Sequence, residues 1–390
     1  MQHFDYVIIG GGAAGASVAY ELSRLASVAL IEREMGPGYH STGRSAAVIS
    51  ENYGPMGWQA LVTASRPFFE NPPPGFADHP LLRRIGALYL ATPEEEAALA
   101  ASSHDLDRRN VDHRLLPASE APTFCPVVRT DGFSLALLEP GCADIDAHAL
   151  LQGYLKLARG QGLSVRLSTE AISLERRGGR WHLAASGTSL TATSVVNAAG
   201  AWADKVATRA GIRPKGLQPY RRTAITFDPP AGTDVRTWPM TFDMAETWYF
   251  KPEAGRIMAS PVDKTATEPC DAAPDEFDIA VAIDRIERAT TMSVPRVHSK
   301  WAGLRTFAAD EQPVIGSDPD EPSFIWLAGQ GGNGVMGAPA AAQLAAAIAT
   351  GTNLPDFVTS RGVDLATISP GRFHGSKGQS GWFQPAPAPP

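Results

Sequence analysis

Near its start the chain reads Asp5-Tyr-Val-Ile-Ile-Gly-Gly-Gly-Ala-Ala-Gly-Ala-Ser17, and this stretch decides the fold. Apolar residues lead into Gly10, Gly12 and Gly15, which follow the pattern G-x-G-x-x-G. The first glycine of such a pattern allows a tight turn, the second lets the backbone approach a pyrophosphate, and the third lets a helix pack closely on a strand. The pattern therefore predicts a buried strand, a turn and a helix, with a diphosphate at the helix N-terminus.

The residues that follow indicate a dinucleotide-binding unit. We expect a helix over residues 16–25 and a second strand over residues 28–32, which ends at Glu32. A carboxylate at this place accepts hydrogen bonds from ribose hydroxyls and repels a 2′-phosphate. Glu32 is therefore the predicted ribose ligand.

The composition is that of an ordinary globular protein. The 390 residues are 44% hydrophobic and 19% charged, which leaves room for two domains with separate cores. A net charge of −7 and the lack of a Lys/Arg cluster argue against nucleic-acid binding, so an anionic small molecule would have to be bound by local arginines. No export signal precedes the first strand, and the longest apolar helix candidate, residues 338–349, is too short to span a bilayer. We therefore expect a cytoplasmic protein without membrane insertion.

The cysteines indicate neither a disulfide framework nor a metal site. Cys125, Cys142 and Cys270 are odd in number and show no C-x-x-C spacing. We expect them to be reduced and structural.

Two kinds of segment alternate along the chain. Some carry strands and helices in turn, and the others are rich in short strands. This alternation predicts an α/β fold, with a discontinuous Rossmann-like domain and a smaller domain of antiparallel sheet plus helices. The first domain is assigned residues 1–80, 143–212 and 303–376, the second residues 81–142 and 213–302, and a disordered tail residues 377–390.

Three later segments have the small residues that a strand end needs where it meets a ligand. A strand over residues 194–200 breaks into small residues before a helix over residues 202–210. A strand over residues 324–328 meets a second glycine-rich turn before a helix over residues 335–350. A loop after Glu32 offers polar side chains to cofactor phosphate and ring oxygens, namely Ser41, Thr42, Arg44 and Ser45.

Taken together, these motifs resemble those of the D-amino-acid oxidase and glycine oxidase family, whose members oxidise amino acids with FAD. Within the family the chain looks most like the bacterial D-arginine dehydrogenases, up to about Arg372. The resemblance rests on Ser41-Thr-Gly-Arg-Ser-Ala-Ala47, Val196-Asn-Ala-Ala-Gly-Ala-Trp202, Trp301-Ala-Gly-Leu-Arg-Thr-Phe307 and Gly329-Gln-Gly-Gly-Asn-Gly334.

The resemblance implies that FAD lies extended in the Rossmann-like domain, with the β-sheet domain over the flavin ring. FAD is therefore predicted rather than NAD. The turn at residues 332–336 would face the flavin, where a helix N-terminus stabilises the negative charge of the reduced ring. The expected cofactor residues are Gly10, Gly12, Ala14, Gly15, Glu32, Arg33, Ser41, Thr42, Arg44, Ser45, Ala171, Ala199, Gly200, Trp202, Gly303, Gly331, Gly332, Asn333, Gly334 and Val335.

Four residues match the catalytic positions of similar enzymes. Arg222 and Arg305 match the arginines that grip the substrate carboxylate, a task that suits the planar, permanently charged guanidinium. Tyr53 and Tyr249 match active-site tyrosines near the carboxylate or over the substrate. Neither tyrosine is assigned as a base, because an amine can lose its proton to water. Arg221 should point to the opposite face of its strand.

The expected side-chain pocket includes Val48, Ser50 and Ala87, and two of these depart from the D-arginine dehydrogenases. Val48 replaces a histidine, and Ala87 replaces the glutamate that would meet a cationic side chain. Burying such a cation without its partner costs roughly 3–5 kcal/mol. The departures therefore predict a neutral, apolar substrate side chain, unless Glu51 supplies a carboxylate from another direction.

The expected reaction is hydride transfer from Cα of a D-amino acid to FAD N5, which gives an imino acid that hydrolyses to a 2-oxo acid and ammonia. Three alternatives stay open: oxidation of D-arginine or D-lysine, oxidation of a secondary amine of the sarcosine or opine type, and a non-catalytic FAD subunit. The sequence also leaves open whether oxygen or a quinone-like carrier reoxidises the flavin.

Overall fold

The structure is a computed structural model that describes residues 1–373. The tail predicted to be disordered, residues 377–390, lies outside the described residues. Within residues 1–373 the helices are α1 (Ala13–Ser23), α2 (Met56–Glu70), α3 (Glu96–Arg108), α4 (Ala147–Gly160), α5 (Ala203–Arg209), α6 (Glu276–Ala289), α7 (Ala338–Thr350), α8 (Phe357–Ser360) and α9 (Leu365–Ile368).

The strands of the same residues form three sheets. The first twelve strands are β1 (Gln2–Ile9), β2 (Val28–Ile31), β3 (Val48–Ile49), β4 (Leu82–Arg84), β5 (Ala87–Ala91), β6 (Arg114–Pro117), β7 (Leu135–Glu139), β8 (Ala143–Ile145), β9 (Ser164–Arg166), β10 (Ala171–Arg177), β11 (Arg180–Ala185) and β12 (Thr188–Asn197). The others are β13 (Gln218–Phe227), β14 (Met240–Asp243), β15 (Tyr249–Glu253), β16 (Arg256–Ser260), β17 (Thr265–Ala266), β18 (Val297–Phe307), β19 (Val314–Ser317) and β20 (Phe324–Ala328).

The first sheet is the predicted Rossmann-like sheet. Its parallel strands lie in the order β9, β2, β1, β12, β20, and antiparallel β19 follows β20. The β10–β11 hairpin extends the sheet beside the first half of β12. Leu30 and Val196 face a core shared with α1, α4 and α7, whereas Ala29 and Val195 face the core that α5 covers. Burial on both faces explains why these strands are almost wholly apolar.

The second sheet has the order β17, β13, β16, β15, β14, β5, β7, β6, with β18 along the other edge of β13. Every pair is antiparallel, as predicted, except β5 and β14, which are parallel. The strand β18 pairs with β13 along its whole length and continues to Phe307. The predicted domain boundary at residue 303 therefore falls inside a strand of this sheet. A third, small sheet joins β3 and β4 to β8.

Side chains cap two helix starts, and two predicted helices differ in their limits. Asp146 caps α4 by accepting the Ala149 N–H, and Thr92 forms a capping box with Glu95 at the 3₁₀ turn before α3. Helix α1 spans Ala13–Ser23 instead of residues 16–25. Helix α7 begins at Ala338 instead of residue 335, so that Pro339 lies in the first turn, where its missing N–H costs little.

None of the helices in residues 1–373 is both long enough and apolar enough to cross a membrane. The cytoplasmic location stays a prediction.

Candidate active site

A long cleft follows the carboxyl ends of the parallel strands, and a second cavity opens from it below the second sheet. The empty volumes are about 1580 Å³ for the cleft and about 910 Å³ for the cavity. The cleft runs from the first glycine turn to the last one, and the cavity lies between β3, β14, β15 and α3. Residues that line both mark the junction, and these are Ser45, Ala46, Arg222, Tyr249, Arg305, Gly332 and Val335.

The first glycine turn lies against the residues that follow β12, and only glycines fit at two of its positions. Gly10 has φ +109°, and a Cβ there would lie 2.4 Å from the Ala198 carbonyl oxygen. A Cβ on Gly15 would lie 1.8 Å from the Gly10 carbonyl oxygen, so α1 can pack on this turn only through glycine. Helix α1 then begins at Ala13 with its N-terminus in the cleft. Here the helix dipole and free N–H groups favour an anion such as a diphosphate.

Glu32 is held in the cleft by backbone donors. Its Oε2 accepts the Gly11 N–H at 2.7 Å, and its Oε1 accepts the Glu34 N–H at 2.9 Å. Each carboxylate oxygen keeps a further lone pair that can accept a ribose hydroxyl. Beside it, the Arg33 guanidinium lies 4.8 Å from the centre of the Trp202 ring.

The polar loop after β2 is engaged differently from the prediction. The Thr42 hydroxyl oxygen accepts the Ala13 N–H at 3.0 Å, which leaves its own proton for an anion. Ser41 donates its proton to the Leu304 carbonyl oxygen, and the Ser45 oxygen accepts the Ala47 N–H. The Arg44 guanidinium donates to two backbone carbonyls and pairs with the Asp271 carboxylate, so these contacts already engage part of its donors.

Most of the predicted cofactor residues line the cleft. Gly15 does not, because it serves the packing of α1 on the turn. Asn333 does not either, because its side chain is turned towards Gly54, where its Oδ1 is buried without a hydrogen-bond partner in the described structure. The others along the cleft are Gly10, Gly12, Ala14, Glu32, Arg33, Ser41, Thr42, Arg44, Ser45, Ala171, Ala199, Gly200, Trp202, Gly303, Gly331, Gly332, Gly334 and Val335.

Arg222 and Arg305 are brought together at the junction of cleft and cavity. Arg305 is in register with Tyr220, and Arg222 lies two residues along the same strand, so both arginine side chains leave one face of the sheet. Arg222 donates from Nε to the Asp263 carbonyl oxygen at 2.9 Å. Within residues 1–373, neither guanidinium forms an ion pair with a carboxylate. By contrast, Arg221 pairs with Asp278 of α6 at 2.7 Å, on the opposite face as predicted.

Two tyrosines complete this positive end of the cavity. Arg305 donates from Nη1 to the Tyr53 hydroxyl oxygen at 3.0 Å. Tyr249 is buried on β15 and lines both the cleft and the cavity. The four predicted catalytic side chains therefore line the same cavity.

The positive charges of Arg222 and Arg305 repel each other. Burial lowers the pKa of Arg222 to about 10, with repulsion from Arg305 acting in the same direction. Burial also lowers the pKa of Arg305, but Tyr53, Tyr249 and Glu246 outweigh this effect, so that its pKa is raised. Two cations that share a cavity without a counterion are stabilised by any anion that enters. The arrangement can therefore bind a carboxylate.

Beyond the arginines the cavity wall is mainly apolar. Val48 and Ser50 line it, as predicted. Ala87 does not reach it: the residue is fully buried, and its methyl group is too short to extend past its neighbours. The apolar lining residues are Ala46, Ala47, Val48, Met240, Phe242, Met244, Trp248, Val262, Val335 and Met336.

Three carboxylates bear on the missing glutamate. Asp243 is buried and lines the cavity, and its oxygens already accept hydrogen bonds from the segment between β14 and β15. Glu51 is buried and its Oε1 lies 2.5 Å from Arg66 Nε, so it is paired and outside the cavity lining. Glu246, which the sequence did not single out, is an exposed residue at the cavity rim. It lies in the turn between β14 and β15, and no local motif marks it.

Other lining residues were missed for the same reason. Tyr89, Asn52 and Ser102 come from β5, the segment after β3 and helix α3, which meet only in the folded chain. Gln330 lines the cleft, and its side-chain nitrogen is buried without a partner in residues 1–373. Its position within the second glycine turn was the signal that could have indicated it.

Comparison with known proteins gives a consistent family and fold. The family model described as FAD dependent oxidoreductase (DAO) matches residues 5–348. Glycine oxidase from Geobacillus kaustophilus is 25% identical over 97% of this chain and 100% of its own, and its crystal structure superposes with a TM-score of 0.80 at 22% identity, covering 95% and 98% of the two chains.

Two further solved structures share the fold. L-proline dehydrogenase from P. horikoshii has a TM-score of 0.80 at 21% identity and covers 93% of this chain and 99% of its own. Iminodiacetate oxidase from Chelativorans sp. BNC1 has a TM-score of 0.76 at 24% identity and covers 94% and 98%.

The residues of the cleft fit FAD. The first glycine turn and α1 suit the diphosphate, and Glu32 suits the ribose. At the other end, the Gln330 side-chain nitrogen is buried in the cleft without a partner in residues 1–373, and it would be available to donate a hydrogen bond to the bound cofactor. A Cβ on Gly332 would lie 3.0 Å from Arg305 Nη1, so the backbone of the second glycine turn runs close to the arginine where the cleft meets the cavity.

Proposed function

Because the chain belongs to the family of FAD-dependent oxidoreductases, we propose that it oxidises a D-amino acid with a neutral, largely apolar side chain. The observation that carries this proposal is the pair Arg222 and Arg305. They lack a carboxylate partner within residues 1–373, and they stand where the FAD cleft opens into an apolar cavity.

The chain's own residues act by positioning. Arg222 and Arg305 bind the substrate carboxylate, and the Tyr53 hydroxyl, held by Arg305, adds a donor beside it. Tyr249 lines both the cleft and the cavity, and its contact with the substrate helps to direct the substrate Cα–H towards the cleft. Bound FAD supplies the acceptor for the hydride that leaves Cα. The imino acid then takes up water and gives a 2-oxo acid and ammonia.

The side-chain class follows from the wall of the cavity. Met240, Phe242 and Trp248 offer apolar contact, and each buried methylene is worth about 0.8 kcal/mol. The paired Glu51 offers no charge to a cationic substrate. D-configuration is proposed from the resemblance to D-arginine dehydrogenases.

Two other substrate classes have support. Glu246 at the rim favours D-arginine or D-lysine, but it is exposed, and water screens an exposed carboxylate more than a buried one. The similarity to glycine oxidase and iminodiacetate oxidase favours glycine or a secondary amine such as sarcosine. The same arginines would bind the carboxylate of any of these compounds.

Product analysis tests the proposal. The holoenzyme is incubated with D-leucine and an artificial two-electron acceptor, and the 2-oxo acid and ammonia are quantified. We expect one of each for every acceptor reduced. Turnover of sarcosine or glycine, with none of D-leucine, would contradict the proposal and support the secondary-amine class.

A further inference from the structure

A buried carboxylate that the proposed chemistry does not use lies behind the cavity wall. Glu139 ends β7 and is fully buried. Its register partner on β5 is Ala87, and directly opposed residues of antiparallel strands project from the same face. Tyr89, two residues along β5, shares that face and lines the cavity. The Glu139 carboxylate therefore lies on the strand next to Ala87, the position at which the sequence lacks the glutamate of the D-arginine dehydrogenases.

The hydrogen bonds of Glu139 connect it to that wall. Its Oε2 accepts the Ser50 hydroxyl at 2.6 Å, and its Oε1 accepts the Glu51 N–H at 2.8 Å. The Ser50 and Tyr89 hydroxyl oxygens lie 2.7 Å apart. A distance of 2.6 Å is typical of a hydroxyl that donates to an ionised carboxylate. Burial raises the pKa of Glu139, and the Ser50 and Glu51 donors oppose that rise because they stabilise the ionised form.

For an ionised Glu139, proton counting fixes the direction of the hydrogen bonds. Ser50 has one proton and gives it to Glu139, so the Tyr89 proton goes to the Ser50 oxygen at 2.7 Å or to Glu139 Oε2 at 3.3 Å. Both hydroxyl protons are consumed inside the cluster of Glu139, Ser50 and Tyr89. What the two hydroxyls offer to the cavity is lone pairs only.

We propose that Glu139 is ionised and is a specificity-determining residue, which makes Ser50 and Tyr89 hydrogen-bond acceptors for a donor on the substrate side chain. This inference rests on the proposed function and narrows its substrate class. Among neutral D-amino acids, those with a side-chain hydroxyl or N–H are preferred to their all-apolar counterparts. Because Glu139 lies behind two hydroxyls, it gives a cationic side chain no direct ion pair.

Matched substrate pairs test the preference. We measure kcat/KM of the holoenzyme for D-tyrosine against D-phenylalanine and for D-threonine against D-valine. A net neutral hydrogen bond corresponds to about 2- to 12-fold in affinity. The inference predicts a ratio above about threefold in at least one pair. Ratios below that value in both pairs would overturn it, as would a higher efficiency with D-lysine than with D-tyrosine.

The variant Glu139→Gln separates the role of the charge from structural damage. Its amide oxygen can still accept the Glu51 N–H, but its amide nitrogen must donate to Ser50, which reverses the chain and turns a proton towards the cavity. The ratio of kcat/KM values within the preferred substrate pair should then fall to near one. The kcat/KM for D-alanine, whose methyl side chain does not reach the hydroxyls, measures any general damage to the site. Glu120→Gln, at an exposed position, is the matched control. A ratio unchanged in Glu139→Gln would contradict the inference.

Tyr89→Phe is the second variant, for the case that Glu139→Gln does not fold. It removes the hydroxyl and keeps the ring that packs on Phe242. The same loss of ratio is expected, and an unchanged ratio overturns the inference. If D-alanine reduces the flavin but the kcat/KM ratios of both substrate pairs are close to one, this inference alone is wrong. If no D-amino acid reduces the flavin, the proposed function is wrong as well.

Discussion

Arg305 donates a hydrogen bond from Nη1 to the Tyr53 hydroxyl oxygen at 3.0 Å, across 252 positions of sequence. This bond joins the segment after β3 to the strand β18, at the point where cleft and cavity meet. Because Arg305 has no carboxylate partner in residues 1–373, the tyrosine is its side-chain partner until an anion arrives. The relationship makes Tyr53 part of the proposed carboxylate site.

Replacement of this tyrosine should weaken substrate binding. In Tyr53→Phe we expect kcat/KM to fall about 10- to 100-fold, mainly through KM, because a hydrogen bond to a charged group is worth about 1.5–3 kcal/mol. Steady-state kinetics with D-leucine measures the effect. Tyr220→Phe is the control, because Tyr220 packs on Phe307 and lines neither cleft nor cavity. Equal kinetics for the two variants would contradict the assignment of Tyr53.

Arg305→Lys should lose more. Lysine keeps the charge but cannot form two parallel hydrogen bonds, and damage to a buried charged pair costs about 2–5 kcal/mol. We expect kcat/KM to fall about 100-fold or more and the affinity for benzoate, a carboxylate that cannot react, to fall with it. Arg221→Lys is the control and should retain activity, because Arg221 lies on the opposite face of the sheet and pairs with Asp278. Normal benzoate affinity in Arg305→Lys would show that the carboxylate binds elsewhere.

Gly10→Ala tests the cofactor cleft. A Cβ there would meet the Ala198 carbonyl oxygen at 2.4 Å, and φ +109° is unfavourable for alanine. The variant should be purified with little FAD, as judged from the ratio of flavin to protein absorbance. Gly160→Ala is the matched control, since a Cβ there meets nothing within 4 Å. A full complement of FAD in Gly10→Ala would refute the predicted close approach.

Glu51→Gln separates stability from specificity. Because Glu51 pairs with Arg66 outside the cavity lining, we expect a loss of about 1–3 kcal/mol in the free energy of unfolding. The preference for D-leucine over D-arginine should stay the same. Thermal unfolding and kinetics with both substrates measure the two effects. A shift of the preference by more than about tenfold would mean that Glu51 does serve the substrate.

The extent of prediction from sequence depended on how far apart the partners lie in the chain. Gly15 and Glu32 contact Gly10 and Gly11 of the same strand, turn and helix unit, so their spacing alone predicted the first turn. Arg44 looked free because its partner Asp271 lies 227 positions away. Ser50 and Glu139 are 89 positions apart, and the pairing of β3 with β8 brings the residue after β3 next to the end of β7.

The side-chain pocket shows the same limit. The resemblance drew attention to position 87, but it could not show that Ala87 would be too short to reach the cavity, or that Glu139 stands directly across the sheet from it. Nor did any local pattern mark Glu246, which a turn between two strands brings to the rim. Such relationships depend on strand register and on contacts between distant segments, which cannot be inferred from the local patterns of a single sequence.

Oxidation of D-amino acids is tested most directly by the rate at which substrates bleach the flavin of the holoenzyme without oxygen. D-leucine, L-leucine, sarcosine, glycine and D-arginine are mixed with the protein anaerobically, and absorbance is followed at the flavin maximum. We expect D-leucine to reduce the flavin fastest. Faster reduction by D-arginine would contradict the proposed side-chain class, and faster reduction by L-leucine, glycine or sarcosine would contradict the oxidation of D-amino acids.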